Sequence, residues 1–152
     1  MAEYSANAIQ VVAPGETVIF TDTAVPCTRG FVRHREGSGN FLLSGWVPSS
    51  QCSCNSSANY LVDFGANISI PTGGTVGEIS VAIVIDGATI PASEMVVTPA
   101  AVNTAFNVSR AVNAQVWRGC CETISVRNTS NQAIQVENAN IIFSRPDLVM
   151  SR

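Results

Sequence analysis

The chain has 152 residues, an apolar share of 46%, a charged share of only 12% and a net charge of −3. That length suits one domain, long enough to bury about two-thirds of its unfolded surface. The acidic balance excludes the basic stripe that nucleic-acid binding needs, and no apolar run approaches the roughly 18 residues of a membrane span.

In chain order, nearly every segment reads at period two. Residues 1–14 read as an N-terminal arm or first strand, with Ile9–Val12 extended, and residues 15–152 as a single domain. Thr17–Thr21 places Val18 and Phe20 on one face. Short strands are expected at Phe31–Arg35 and Phe41–Val47, separated by the Glu36-Gly37-Ser38-Gly39 turn. Asn59–Ile70 alternates most clearly: Tyr60, Val62, Phe64, Ala66, Ile68 and Ile70 share one face, opposite a largely polar one. Ile79–Ile85 is apolar on both parities, as a centrally placed strand covered on both sides would be. Asp86-Gly87 then marks a two-residue type I′ hairpin.

After Met95–Thr98, a threonine followed by proline at Thr98-Pro99 predicts one or two helical turns at most. Strands follow at Val112–Trp117 and Thr123–Arg127. In Ala133–Ser144 the apolar residues switch from even to odd positions, which predicts a bulge near Glu137 or Asn138. Eight to ten strands joined by turns, with no alternating helices, specify an all-β, two-sheet antiparallel sandwich of jelly-roll type.

Residues Ile79 to Pro91 resemble the mid-domain hairpin of tumour-necrosis-factor-like jelly rolls found in Firmicutes and their phages, including the C-terminal domains of collagen-like exosporium proteins. The chain from Ala2 to Arg145 is also similar to small clostridial and prophage-encoded proteins, through Val32–Gly39, Pro71–Gly77 and Arg118-Gly119-Cys120-Cys121. The resemblance implies a compact homotrimer on the exterior of a phage particle or spore, without the Gly-X-Y stalk of the exosporium proteins.

All eight basic residues are arginines, the cation that desolvated contacts favour, and the scarcity of charge implies that surface is covered by other copies of the chain. Trp46 and Trp117 fall on the less apolar faces of their strands, and Leu42 and Leu61 have outward parity. These four residues are the expected interface. A use of the aromatics to stack on sugar stays open, so the expected partners are copies of the chain, neighbouring particle proteins and a glycan. The N-terminus has no basic region followed by an apolar stretch. Synthesis in a cytoplasm is therefore expected, with a final place on a virion, spore or cell surface.

Cys27, Cys52, Cys54, Cys120 and Cys121 are the chemistry-bearing residues, with His34 as the sole histidine. Two disulfides would leave one odd thiol, either free or crossing to another subunit. Plain buried thiols are the second reading, and a thiolate metal site including His34 the third. The Cys-x-Cys and Cys-Cys spacings fit poorly to structural zinc, which favours two intervening residues. His34, in a hydrophilic strand end, reads as a surface residue or local hydrogen-bonder. The four Asn-x-Ser/Thr sequons are read as chance. No nucleophile elbow, phosphate loop or paired carboxylates are found. The expectation is a non-enzymatic structural protein with no cofactor, a cross-linked filament subunit or a glycan- or receptor-binding head being the alternatives.

Overall fold

A computed structural model describes residues 1–27, 29–47 and 57–148. Among these the chain forms twelve strands and one 3₁₀ turn, and no α-helix. The strands are β1 (Ala2–Ala6), β2 (Gln10–Val12), β3 (Asp22–Val25), β4 (Val32–His34), β5 (Phe41–Ser44), β6 (Ser57–Ser69), β7 (Ile79–Ile85), β8 (Ala88–Thr89), β9 (Met95–Val97), β10 (Phe106–Trp117), β11 (Cys121–Asn128) and β12 (Ile134–Ser144).

They build two antiparallel sheets. The first runs β10-β6-β12-β1-β3, with β2 also on β12; the second runs β4-β5-β11-β7-β8, with β9 also on β7. The inward residues of both sheets are one hydrophobic core, with Phe20, Phe41, Phe64 and Phe143 in ring contact at its centre. The alternation of β6 is what the sequence predicts: Tyr60, Val62, Phe64, Ala66 and Ile68 are buried, and Asn59, Leu61 and Asp63 are exposed. On β7 both parities are buried, Ser80, Ala82 and Val84 included.

Two irregularities shape the sheets. Asp86 and Gly87 have φ of 49° and 85°, the left-handed pair of a type I′ turn, and close the β7–β8 hairpin with Ile85 opposite Ala88. In β12 the register slips between Glu137 and Asn140, with Asn138 at φ 54°. Here β12 changes neighbours, from β2 (Ile134–Val136) to β1 (Ala139–Phe143), and the bulge returns the later apolar residues to the core.

Several sequence expectations need correction. Thr17–Thr21 is not a strand but two isolated bridges, Thr17 to Arg127 and Phe20 to Ser38. Val18 and Phe20 are buried as expected, while Ile19 bonds through both its N–H and its C=O to the side-chain amide of Gln10. Thr98-Pro99 starts no helix, because the chain is crossing there between the sheets. Asn103 donates its N–H to Ile70 O instead, and the 3₁₀ turn lies earlier, at Pro91–Ser93. That turn fills a gap beside β7 between its two short partners. Buried Ser93 accepts the Ile83 N–H at 2.8 Å and lies 3.3 Å from Ile83 O, standing in for a missing strand. Residues 1–14 hold two strands, with β1 between β12 and β3.

Candidate interaction surface

The outward face of the first sheet is built by the odd positions of β6 and β10 and by the later part of β12. It carries Asn59, Leu61, Asp63, Asn113, Gln115 and Trp117, and Ile142 on β12. Leu61 lies opposite Asn113 and Ser144, and Ile142 opposite Asp63, so the two aliphatics are diagonal neighbours. Amides, small residues and aliphatics predominate, and Leu61 is 36% and Trp117 55% exposed. Two carboxylates adjoin the patch, Asp63 on β6 and Glu3 on β1, which lies opposite Ile142 and accepts from the Asn140 amide; the amides and aliphatics between them have little solvation to lose on contact.

The four expected interface residues do not share one face. Leu61 and Trp117 lie on the first sheet. Leu42 is half-buried on the outward side of β5 in the second sheet, opposite Arg33 and Thr123. Trp46 follows β5 at one pole of the sandwich, 46% exposed.

That pole is organised by Arg145, which sequence reasoning did not single out. The guanidinium is buried. It makes two 2.9 Å bonds to the Asp147 carboxylate and donates at 3.0 Å to Trp46 O. Its Cζ lies 5.0 Å from the Phe31 ring centre and 4.9 Å from that of Tyr60, a cation between two aromatic faces. The Tyr60 hydroxyl lies 2.5 Å from Ser44 O and 3.2 Å from Phe31 O, and the Asn59 N–H bonds to Asp147 at 3.0 Å. Burial would raise the Asp147 carboxyl, but the Arg145 bonds and the Asn59 N–H outweigh it and hold the group below the usual carboxylate range. Burial pushes the Tyr60 phenol up. The Arg-Pro-Asp spacing just after the last strand was the available signal. The Trp46 ring packs against Phe31, tilted by 30° with centroids 5.3 Å apart, so the cluster sets the position of an exposed tryptophan.

Two of the five cysteines, Cys52 and Cys54, lie outside the described residues. Cys27, Cys120 and Cys121 are free thiols, so the expected disulfides do not form among the described residues. Cys27 borders a cavity of about 480 Å³ with Met1, Phe31, Arg145 and Leu148. Burial there would raise its thiol, but the backbone N–H groups of Val32, Arg29, Phe31 and Gly30 prevail and lower it. Cys120 and Cys121 are exposed in the β10–β11 hairpin, whose turn closes with Cys120 N–H on Trp117 O and has Gly119 at φ 81°. Beside it, Gly45 has no room for a Cβ, because the carbonyls of Trp117 and Cys120 occupy that space. His34 lies on the Phe41 ring at 4.3 Å, with Nε2 2.9 Å from Ser38 O. It ties the β4–β5 turn together. No three His, Cys, Asp or Glu residues gather into a metal-binding group among the described residues.

The opposite pole holds a polar cavity of about 660 Å³ between the β6–β7 and β11–β12 loops. Much of its polar lining is already bonded internally: Gln132 clamps both N–H and C=O of Thr75, and the Ser80 and Thr129 hydroxyls meet at 2.7 Å.

No family model matches the chain, and no curated protein matches it in sequence. Solved structures do. The Eiger TNF of S. frugiperda superposes with a TM-score of 0.65 at 13% identity, covering 99% of this chain and 93% of that one. The globular domain of zebrafish complement 1qA superposes at 0.57 and 11% identity, covering 93% and 94%. The fold is the jelly roll of the tumour-necrosis-factor and C1q type.

Proposed function

We propose that this chain is a non-enzymatic module that assembles as a homotrimer through the outward face of its first sheet. The observation that carries the reading is that face itself: a broad sheet surface of amides, small residues and the diagonal pair Leu61 and Ile142, with Trp117 at one end. Jelly rolls of the tumour-necrosis-factor and C1q type are often trimeric, and the fold is shared over nearly the whole chain. Closed symmetry would also cover part of a long sheet whose β10 edge, among the described residues, pairs only with β6. Packing is the mechanism, and the sequence resemblance to exosporium and prophage proteins supports a place on the exterior of a spore or phage particle.

Native mass by light scattering after size exclusion tests the assembly. A species near three times 16.0 kDa is expected. Leu61→Arg, which places three cations in the contact, should shift it to monomer with unchanged circular dichroism. A monomer in the parent protein would reject the assembly. The exposed Trp46, beside Arg118 and Cys120 in a shallow cavity, supports a second reading, a glycan- or receptor-binding head. Saccharide-induced quenching of tryptophan fluorescence that is lost in Trp46→Ala would establish it.

A further inference from the structure

A closed trimer cannot pair the outward face of the first sheet with itself. Around a threefold axis every contact is heterologous, so this face of one copy meets a different surface of the next. The charges identify that surface. Along one row across the sheet, Ala111 on β10 lies opposite Asp63 on β6, Asp63 opposite Ile142 on β12, and Ile142 opposite Glu3 on β1. Neighbouring strands are about 4.8 Å apart, so the two carboxylates flank Ile142 about 10 Å from one another. Asp63 is exposed and forms no ion pair among the described residues.

The strands of the first sheet carry a single cation, Arg110 on β10. Arg33 and Arg127 belong to the second sheet, and Arg145 is buried on Asp147. Arg110 is exposed on the edge strand, with parity opposite to that of Ala111, so it projects away from its own Asp63. One of its five N–H donors reaches Glu94 O at 3.4 Å. It precedes Ala111 and so lies about 3.3 Å along the strand from the Asp63–Ile142–Glu3 row. Rotation about an axis running along the strands keeps each residue at its level, and brings Arg110 of one copy beside that row of the next. The same edge leaves backbone N–H and C=O groups without a neighbouring strand among the described residues. The side-chain amides that predominate on the face can both donate to and accept from such groups. Face-on-face packing of two copies would instead set carboxylates against carboxylates.

Resting on the trimer reading, we infer that the β10 edge of each copy seats on the outward first-sheet face of the next, with Arg110 against the partner's Asp63 and the partner's Glu3. This charge pairing selects edge-on-face contact and so closes the ring.

The test follows assembly of the full chain over a concentration series by light scattering and sedimentation. Arg110→Glu should raise the concentration for half-assembly at least about tenfold, because like charges then meet. Adding Asp63→Arg to it should recover at least about fivefold of that loss, since an opposite pair forms again with its signs exchanged. Both positions are exposed, so circular dichroism should match the parent. If a reversal unfolds the chain, Arg110→Gln and Asp63→Asn carry the same test: each should weaken assembly about threefold, and together they should be no weaker than either alone. Arg110→Glu assembling like a trimeric parent, or a double variant no better than Arg110→Glu, would overturn the edge-on-face pairing and leave the trimer standing. A monomeric parent would remove both.

Discussion

Replacing Arg145 with leucine keeps much of the side-chain volume and removes the guanidinium. The change affects four groups: the Asp147 carboxylate loses two 2.9 Å bonds and keeps the Asn59 N–H, the Trp46 carbonyl loses its 3.0 Å donor, and the Phe31 and Tyr60 rings lose the cation between them. Breaking a buried ion pair from one side costs about 3–5 kcal/mol. Asp147 keeps some solvent access, which lowers the expected loss to about 3 kcal/mol. Urea unfolding at fixed protein concentration would measure it.

The pH dependence follows from the Asp147 carboxyl, which folding holds below its unfolded value. Such a group contributes its full stabilisation above the unfolded carboxylate value of about 3.9, and loses it as pH falls through the lower folded value. The penalty of Arg145→Leu should thus be largest near neutrality and shrink below about pH 4, where Asp147 takes up a proton and no longer needs the cation. A double-mutant cycle with Asp147→Asn should show a coupling of about 1–3 kcal/mol. A cost under about 0.5 kcal/mol, the scatter of ordinary surface substitutions, or a penalty independent of pH, would refute the argument that this cluster holds the pole together.

Ser93→Ala removes the hydroxyl that satisfies the Ile83 N–H, and should cost about 1–3 kcal/mol in urea unfolding, the penalty of a buried donor left unpaired. Gly45→Ala drives a Cβ into the Trp117 and Cys120 carbonyls; a loss of about 1–3 kcal/mol is expected from overpacking, read as a lower thermal midpoint. Cys27 should be alkylated by iodoacetamide at a pH where ordinary thiols are largely protonated, as mass spectrometry of the labelled peptides would show, because four backbone N–H groups favour its thiolate.

How far the fold is legible depends on whether a segment buries one face. β6, β7 and the β7–β8 turn are readable because alternation and left-handed turn residues are local properties. The bulge in β12 is readable too, since a parity switch inside one apolar run has few other causes. β3 leaves no such trace: Asp22, Thr23 and Ala24 are all exposed, so no periodicity marks it. Thr17–Thr21 has the right alternation, yet its backbone groups are claimed by Val126, Ser38 and the Gln10 amide rather than by one neighbouring strand.

The candidate surface divides in the same way. Outward parity singles out Leu61 and Trp117, but parity cannot say which of two sheets a strand joins, and Leu42 belongs to the other one. Arg145, Asp147, Phe31 and Tyr60 are up to 116 residues apart in number, and only the return of β12 beside β6 brings them together. By itself the sequence determined an antiparallel sandwich, its principal buried faces and its odd thiol count, because alternation, turn chemistry and composition act over a few residues. The tertiary structure alone decided the strand order, the sheet to which each exposed side chain belongs and the buried cation at the pole, because those depend on pairings between segments far apart in the chain.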